Sequence, residues 1–171
     1  DLGAGTGQWA FRFSPMSFSV TLVEFSEGMM NIAKKTYKEL GLKNLYFKMS
    51  EAQKFLNTEK YQLIWISGLL IYLSDDELRQ LISNCRKMLA SNGLLLLRDG
   101  TGLKKRYEIN NQFSKDLNSN YSATYRTAEE YEHSFKNDGF KLIKQEDVFD
   151  ENSCLNKWKE TRLRLYQFKL K

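Results

Sequence analysis

Histidine occurs once in the 171 residues, at His133, and cysteine twice, at Cys85 and Cys154. A lone imidazole excludes a multi-histidine metal centre, and two thiols so far apart have no metal-ligand spacing. Cys85 falls on the apolar stripe of a predicted helix, where a reduced thiol packs as a small hydrophobe. Long apolar runs are missing too. The longest, Leu63 to Leu73, is interrupted by Ser67 and Gly68 and falls short of the ~20 residues that cross a bilayer. The chain opens on Asp1-Leu2-Gly3 with no basic and apolar leader. These absences together predict a cytoplasmic protein without a metal site and without a membrane partner.

Charge of one sign does not dominate either. Lys and Arg number 26 against 21 Asp and Glu, a net +5, and an excess of that sign raises the question of a nucleic-acid partner. The lysines, however, are scattered over helix faces and strand ends, and only Lys104-Lys105-Arg106 forms a tight cluster. The basic balance therefore reads as a solvated surface. A hydrophobic fraction of 42% is that of an ordinary globular chain, and the length suits one domain, residues 1–171, rather than two.

Short apolar runs alternate with amphipathic helices, the pattern of a doubly wound α/β domain with a mostly parallel sheet. Strands are predicted over Val20 to Glu24, Leu45 to Lys48, Tyr61 to Ile66 and Leu94 to Leu97. Ser26 and Gly41 bracket a helix carrying Met29, Ala33, Tyr37 and Leu40 at helical spacing. Glu51 to Leu56 predicts a short helix. Ser74 with Glu77, and Thr127 with Glu130, have the spacing of capping boxes. The first opens a helix with a stripe of Leu78, Leu81, Ile82, Cys85, Met88 and Leu89, stopped by Asn92-Gly93. The stretch from Gly100 to Tyr125 shows no clear periodicity, and Phe140 to Ile143 and Arg162 to Phe168 read as closing strands, the last an antiparallel edge. Asp1-Leu2-Gly3 reads as the end of a strand entering a turn, so the first, central strand of the sheet is expected to be missing from this sequence.

The most informative stretch is Asp1-Leu2-Gly3-Ala4-Gly5-Thr6-Gly7. Glycines at alternate positions let a backbone turn sharply and approach a ligand closely. Either a dinucleotide or S-adenosylmethionine suits such a loop. The spacing separates them: a dinucleotide fingerprint requires its third glycine where Gln8 stands, and here it falls one residue earlier, at Gly7. The run resembles the first motif of class I (Rossmann-like) S-adenosylmethionine-dependent methyltransferases, in which an acid precedes alternating glycines. Further features recur in that family's order: Glu24 at the end of the next strand, Glu51-Ala52 after the third, the apolar Leu63 to Ile66 followed by Ser67, and Leu94 to Asp99.

The resemblance implies a seven-stranded methyltransferase sheet with an antiparallel closing strand, and S-adenosylmethionine as cofactor. It implies cofactor contacts from Asp1, Gly3, Gly5, Gly7, Glu24, Phe25, Met29, Glu51, Ala52 and Ser67, with Glu24 on the ribose hydroxyls and Glu51-Ala52 beside adenine. Methyl transfer to an N or O nucleophile of a small molecule or peptide follows from it. A catalytically silent cofactor-binding subunit is the alternative. Since the methyl carbon arrives already activated, alignment matters more than a universal catalytic residue; Tyr72 and Asp99 are the candidates near the methyl mouth. The segment 102–125, with Tyr107, Tyr121 and Tyr125 beside Arg106 and Arg126, is the expected acceptor wall. The chain is also similar to the protein N-terminal α-amine methyltransferases over Ile64 to Leu73 and Leu94 to Asp99. It departs from them at Tyr72, Gly100 and Gln8, where that family has histidine, asparagine and arginine. No Asn-Pro-Pro-Tyr-like motif follows the fourth strand, which argues against nucleic-acid bases as acceptors.

Overall fold

Val20–Glu24 forms β1 in a computed structural model that describes residues 1–115 and 118–171. Ser26 caps α2 (Glu27–Glu39) by accepting the Met29 N–H, Met30 and Ala33 turn inward, and Gly41 follows the helix at φ 62°. β2 (Leu45–Met49) runs parallel to β1. β3 (Tyr61–Ser67) is parallel to β4 (Leu89–Gly102), and between them lie a 3-10 turn at Leu70–Tyr72 and α3 (Asp75–Met88). Both predicted capping boxes are formed, at Ser74 with Glu77 opening α3 and at Thr127 with Glu130 opening α4 (Ala128–Asn137). β8 (Thr161–Leu170) is antiparallel both to β4 and to β7 (Phe140–Asp147).

Leu2 joins the two parallel parts of the sheet. It bridges Val23 of β1 and Ile66 of β3, both in parallel sense, and its N–H donates to the Trp65 carbonyl at 3.0 Å. Across the sheet the order is β2-β1-Leu2-β3-β4-β8-β7. Leu2 thus stands where the sequence predicts the end of a first central strand. Beside it, a cleft of about 480 Å³ separates β1 from β3, lined by Phe13, Thr21, Tyr61 and Trp65 among others.

Three expectations are corrected. Glu51 to Leu56 is not a helix but overlapping turns, in which the Lys54 and Phe55 N–H groups share the Glu51 carbonyl while Ala52 and Phe55 are pulled into the core. Asn92-Gly93 does not end α3, because Leu89 already pairs with Tyr61 of β3, so the strand starts directly at the end of the helix. The stretch from Gly100 is not irregular: β4 continues to Gly102, and β5 (Tyr107–Ser114) pairs antiparallel with β6 (Ser119–Tyr125). Its period was hidden because Ile109 and Ala123 alone are buried in the two strands, and a register shift follows Ile109, where Asn111 sits at φ 49°. Asp116 and Leu117, inside the predicted acceptor segment, lie outside the described residues.

This hairpin is fastened to the sheet by Arg126, which is 1% exposed. Its Nη1 donates to the Leu70 carbonyl at 2.8 Å and its Nη2 to the Leu73 carbonyl at 2.7 Å. Asp75 accepts from its Nε and Nη2 at 2.9 and 2.6 Å. Arg106 reaches the same carboxylate at 3.1 Å and holds Glu130 at 3.3 Å. Replacing Arg126 by Met keeps the length and apolar stem but strips two buried carbonyls of their donors. Urea unfolding of Arg126→Met should show a loss of about 3 kcal/mol, with Arg126→Lys restoring only part of it, since one ammonium does not reproduce the fork. A Met variant as stable as wild type would refute the anchoring role.

Candidate active site

Gly3, Gly5 and Gly7 all have positive φ, at 67°, 57° and 86°, where a β-carbon is disfavoured. They differ in what stands above them. A β-carbon on Gly3 would lie 2.9 Å from Leu69, and one on Gly7 2.8 Å from Phe11, so these two let the loop press against the fold. On Gly5 it would meet nothing nearer than Met29 Sδ at 3.8 Å. The floor at Gly5 is therefore the open part of the loop.

Two carboxylates set the loop's shape. Glu24 Oε2 accepts the Gly5 N–H and Oε1 the Ser26 N–H, each at 2.8 Å. Glu24 is 4% exposed, and each of its oxygens retains a second lone pair for a further donor. Asp1 Oδ2 accepts the Ala10 N–H at 3.0 Å and so ties the loop to α1 (Gln8–Phe13). Phe25 and Met29 are large apolar side chains left exposed at this end of β1 and α2. Glu51 accepts from Gln53 at 2.8 Å and Lys54 at 2.7 Å, while Ala52 packs into the core.

Alternation along β4 decides what its last residues face. Leu95, Leu97 and Asp99 are buried on one face, and Arg98 lies half-buried on the other. Arg98 Nη1 donates to Ser67 Oγ at 3.1 Å, and its guanidinium stands 5.7 Å from the centre of the Trp9 ring. It makes no ion pair among the described residues. Sequence reading passed over Arg98; its signal was the end of the apolar run Leu94 to Leu97, where alternation continues into a charged residue. Trp9, Phe13 and Trp65 form an aromatic cluster beside it, with tilted and edge-on contacts at centroid separations of 4.7 and 5.5 Å around Trp65.

Asp99 is fully buried and accepts the N–H groups of Leu69 at 3.2 Å, Leu70 at 2.6 Å and Gly100 at 2.7 Å. Burial raises its pKa to about 6, against the pull of these bonds. Tyr72 is exposed, and partial burial followed by the nearby Asp99 and Tyr121 raises its pKa. Burial, then Tyr121 and Tyr72, push the Tyr125 phenol to about 12. A β-carbon on Gly100 would stand 2.7 Å from the Tyr125 ring, so Tyr125 fills the space into which any side chain at that position would project. A cavity of about 230 Å³ opens here, bounded by Gly68, Ile71, Asp99, Gly100, Tyr125 and Trp158 among others. His133 is exposed on α4, away from the residues lining this cavity. The Cys85 thiol is buried, with its pKa pushed up to about 12, as befits an inert core residue. Among the described residues there is no cluster of metal-ligating side chains, and no helix is long and apolar enough to cross a membrane.

A mostly parallel α/β sheet with a glycine loop following the Leu2 bridge at its centre, faced by an acid ending the neighbouring strand, has the form of a Rossmann-like α/β protein. The sequence pattern of the methyltransferase domain family matches residues 1–93, and the chain belongs to that family, within the class I S-adenosylmethionine-dependent methyltransferases. It is 30% identical over 147 residues to an alpha N-terminal protein methyltransferase 1 of Dictyostelium discoideum, covering 84% of this chain and 51% of that protein. The chain spans about half the length of the curated relatives it matches first. Its fold is that of an S-adenosylmethionine-dependent methyltransferase from Clostridium acetobutylicum (TM-score 0.77, 16% identity, 99% of this chain and 82% of the other). It is also that of the glycopeptide N-methyltransferase MtfA, solved with S-adenosylmethionine (TM-score 0.73, 16% identity, 99% and 85%).

The raised pKa of Asp99 has a definite sign in stability. The folded state holds the proton more tightly than the unfolded chain, so this group's contribution is complete below the ordinary 3.8 and is lost as pH rises through about 6. At about 1.4 kcal/mol per pH unit, the stability of wild type relative to Asp99→Asn should fall by roughly 3 kcal/mol between pH 3.5 and 7. Denaturant titrations of both proteins across that range make the measurement. Parallel pH profiles would contradict the assignment.

Proposed function

We propose that this domain, taken as the single unit 1–171, transfers a methyl group from S-adenosylmethionine to an N or O nucleophile of a small molecule or peptide. The observation that carries the reading is the open floor over Gly5 beside the buried Glu24 carboxylate, flanked by the exposed apolar side chains of Phe25 and Met29. Such a combination suits a ribose diol attached to a flat apolar base: fixed acceptors for two hydroxyls, and apolar surface awaiting cover. Glu51 and Ala52, after β2, are positioned for the base, and Ser67 with Gly3 for the amino-acid end.

Arg98 supplies what Gln8 does not. A half-buried guanidinium without an ion-pair partner is a poor arrangement on its own, and a carboxylate beside Ser67 and Trp9 would complete it. We assign it as the counter-ion of the cofactor's carboxylate. When bound, S-adenosylmethionine would supply an activated methyl group for the acceptor's nitrogen or oxygen, with S-adenosylhomocysteine and the acceptor's proton, released to solvent, as the other products. The chain's own contribution is to hold the nucleophile in line and exclude water. Tyr72, at the rim, is placed to orient it. Asp99, with three backbone donors on its carboxylate, holds the turn that carries Tyr72. The β5–β6 hairpin forms the acceptor wall. The relatives named for peptide amines and a glycopeptide favour nitrogen as the nucleophile.

Calorimetry tests the cofactor half of the reading. S-adenosylmethionine should bind and nicotinamide dinucleotides should not. Hydrogen bonds to a charged group are worth ~1.5–3 kcal/mol each, so Glu24→Ala and Arg98→Met should each weaken binding tenfold or more. Arg98→Met should do so with an unchanged melting midpoint. Gly5→Val should abolish binding by filling the floor. Unchanged affinity in all three would sink the assignment.

A further inference from the structure

Beneath the β5–β6 hairpin lies a second cavity, of about 330 Å³, within the size range of small-ligand sites. Its walls are aromatic: Tyr107, Phe113, Tyr125 and Trp158 all line it. Phe113 is 61% and Trp158 67% exposed, a concentration of uncovered ring surface that a soluble domain does not ordinarily gather around one cavity without a ligand. Tyr107 and Tyr125 stand with ring centroids 6.0 Å apart and tilted by 45°. Tyr125, Trp158 and Thr161 also line the cavity that holds Asp99 and Gly100, so the two spaces meet at the Tyr125 ring.

Charge narrows the ligand class. Among the described residues, the aromatic cavity is lined by one acid, Glu160, and one base, Lys115, which together supply no net charge with which to select an ion. A cage for an alkylammonium needs ring faces without a competing cation, and Lys115 is such a competitor. What remains favourable is stacking and edge-to-face contact with a neutral ring, with Gln112 and the tyrosine hydroxyls for its polar edge. From the vacated side chain at Gly100, the filling Tyr125 ring and the aromatic cavity beyond it, we propose that the hairpin cavity is a subsite for a neutral aromatic ring of the methyl acceptor, held so that its nucleophilic substituent reaches past Tyr125 toward Tyr72. This rests on the methyltransferase reading for its use, though not for its binding.

The test is a fragment titration of the 171-residue chain, followed through the Trp158 indole N–H resonance. Phenol is the probe, cyclohexanol its saturated counterpart and tetramethylammonium the cationic rival. Phenol should shift the Trp158 signal saturably and bind about fivefold tighter than cyclohexanol, the ring-specific contribution expected of aromatic pairs. Tyr107→Ala should weaken it by a similar factor without lowering the melting midpoint, since Tyr107 is partly exposed. Phe113→Ser serves the same purpose should Tyr107→Ala fold poorly. Equal binding of phenol and cyclohexanol, or tighter binding of tetramethylammonium, overturns the ligand class. No Trp158 shift with S-adenosylmethionine affinity intact overturns the subsite alone. Phenol binding at Trp158 in a chain that does not bind S-adenosylmethionine overturns the methyltransferase reading and leaves the ring site standing.

Discussion

Leu70 has its N–H bonded to one buried charge and its carbonyl to another of opposite sign: Asp99 accepts the N–H at 2.6 Å, and Arg126 donates to the carbonyl at 2.8 Å. Neither charge is exposed by more than 1%. A turn between a parallel strand and a helix ordinarily satisfies its backbone with water or with its own residues. Here the turn from Gly68 to Leu73 is gripped from β4 on one side and from the end of β6 on the other. The site is arranged around it. Leu69 faces the glycine loop through the contact at Gly3, Tyr72 projects to the rim, and Asp75 at the start of α3 closes the ion pair with Arg126. Removing Asp99 leaves the Leu69, Leu70 and Gly100 N–H groups without their acceptor, and removing Arg126 leaves the Leu70 and Leu73 carbonyls without their donor, each in a place water does not reach.

How much of this was legible depends on whether a residue's environment repeats. The α/β alternation, both capping boxes and the buried stripe of α3 declared themselves because each rests on periodic spacing. The glycine loop was legible for a different reason. Three alternate glycines are rare unless the backbone needs positive φ, and all three have it. Glu24 was legible by position but not by burial; nothing in the letters says that a strand-end acid is folded under the loop. Arg126 was read as part of the acceptor wall while its burial was illegible, and Arg98 was overlooked although the alternation of β4 runs into it. A single arginine in a basic chain looks like surface, and its burial depends on carbonyls and rings more than 30 residues away. The hairpin was missed because its outer residues are Asn, Gln, Ser and Tyr on both faces, so the period-two signal that marks a half-buried strand is not there to be read.

Two of the departures from the N-terminal amine methyltransferases, at Tyr72 and Gly100, meet at the hairpin. Gly100 is constrained by Tyr125, whose ring occupies the place of a side chain at that position. Tyr125 comes from the hairpin, and Tyr72 lies close enough to Tyr121 and Asp99 for each to shift its ionisation. Tyr72 and Gly100 are thus neighbours around one element, the hairpin, while Gln8 lies apart from it at the start of α1.

This arrangement separates two kinds of variation. The groups assigned to the cofactor lie on the glycine loop, at the ends of β1, β2 and β3, on α2 and, through Arg98, on β4, and none of them is on the hairpin. The hairpin meets that half of the domain through Arg126 and Arg106, whose partners are two backbone carbonyls, the Asp75 carboxylate and Glu130. Carbonyls are present whatever the sequence. So long as Arg126 and Asp75 persist, the strands beyond them can change their rings and charges without moving the turn that positions Tyr72. On the proposed reading, acceptor choice can then drift while the alignment of the methyl mouth is held, because the acceptor would meet side chains on an exposed two-stranded ribbon, whereas the turn is held by main-chain atoms locked between Asp99 and Arg126.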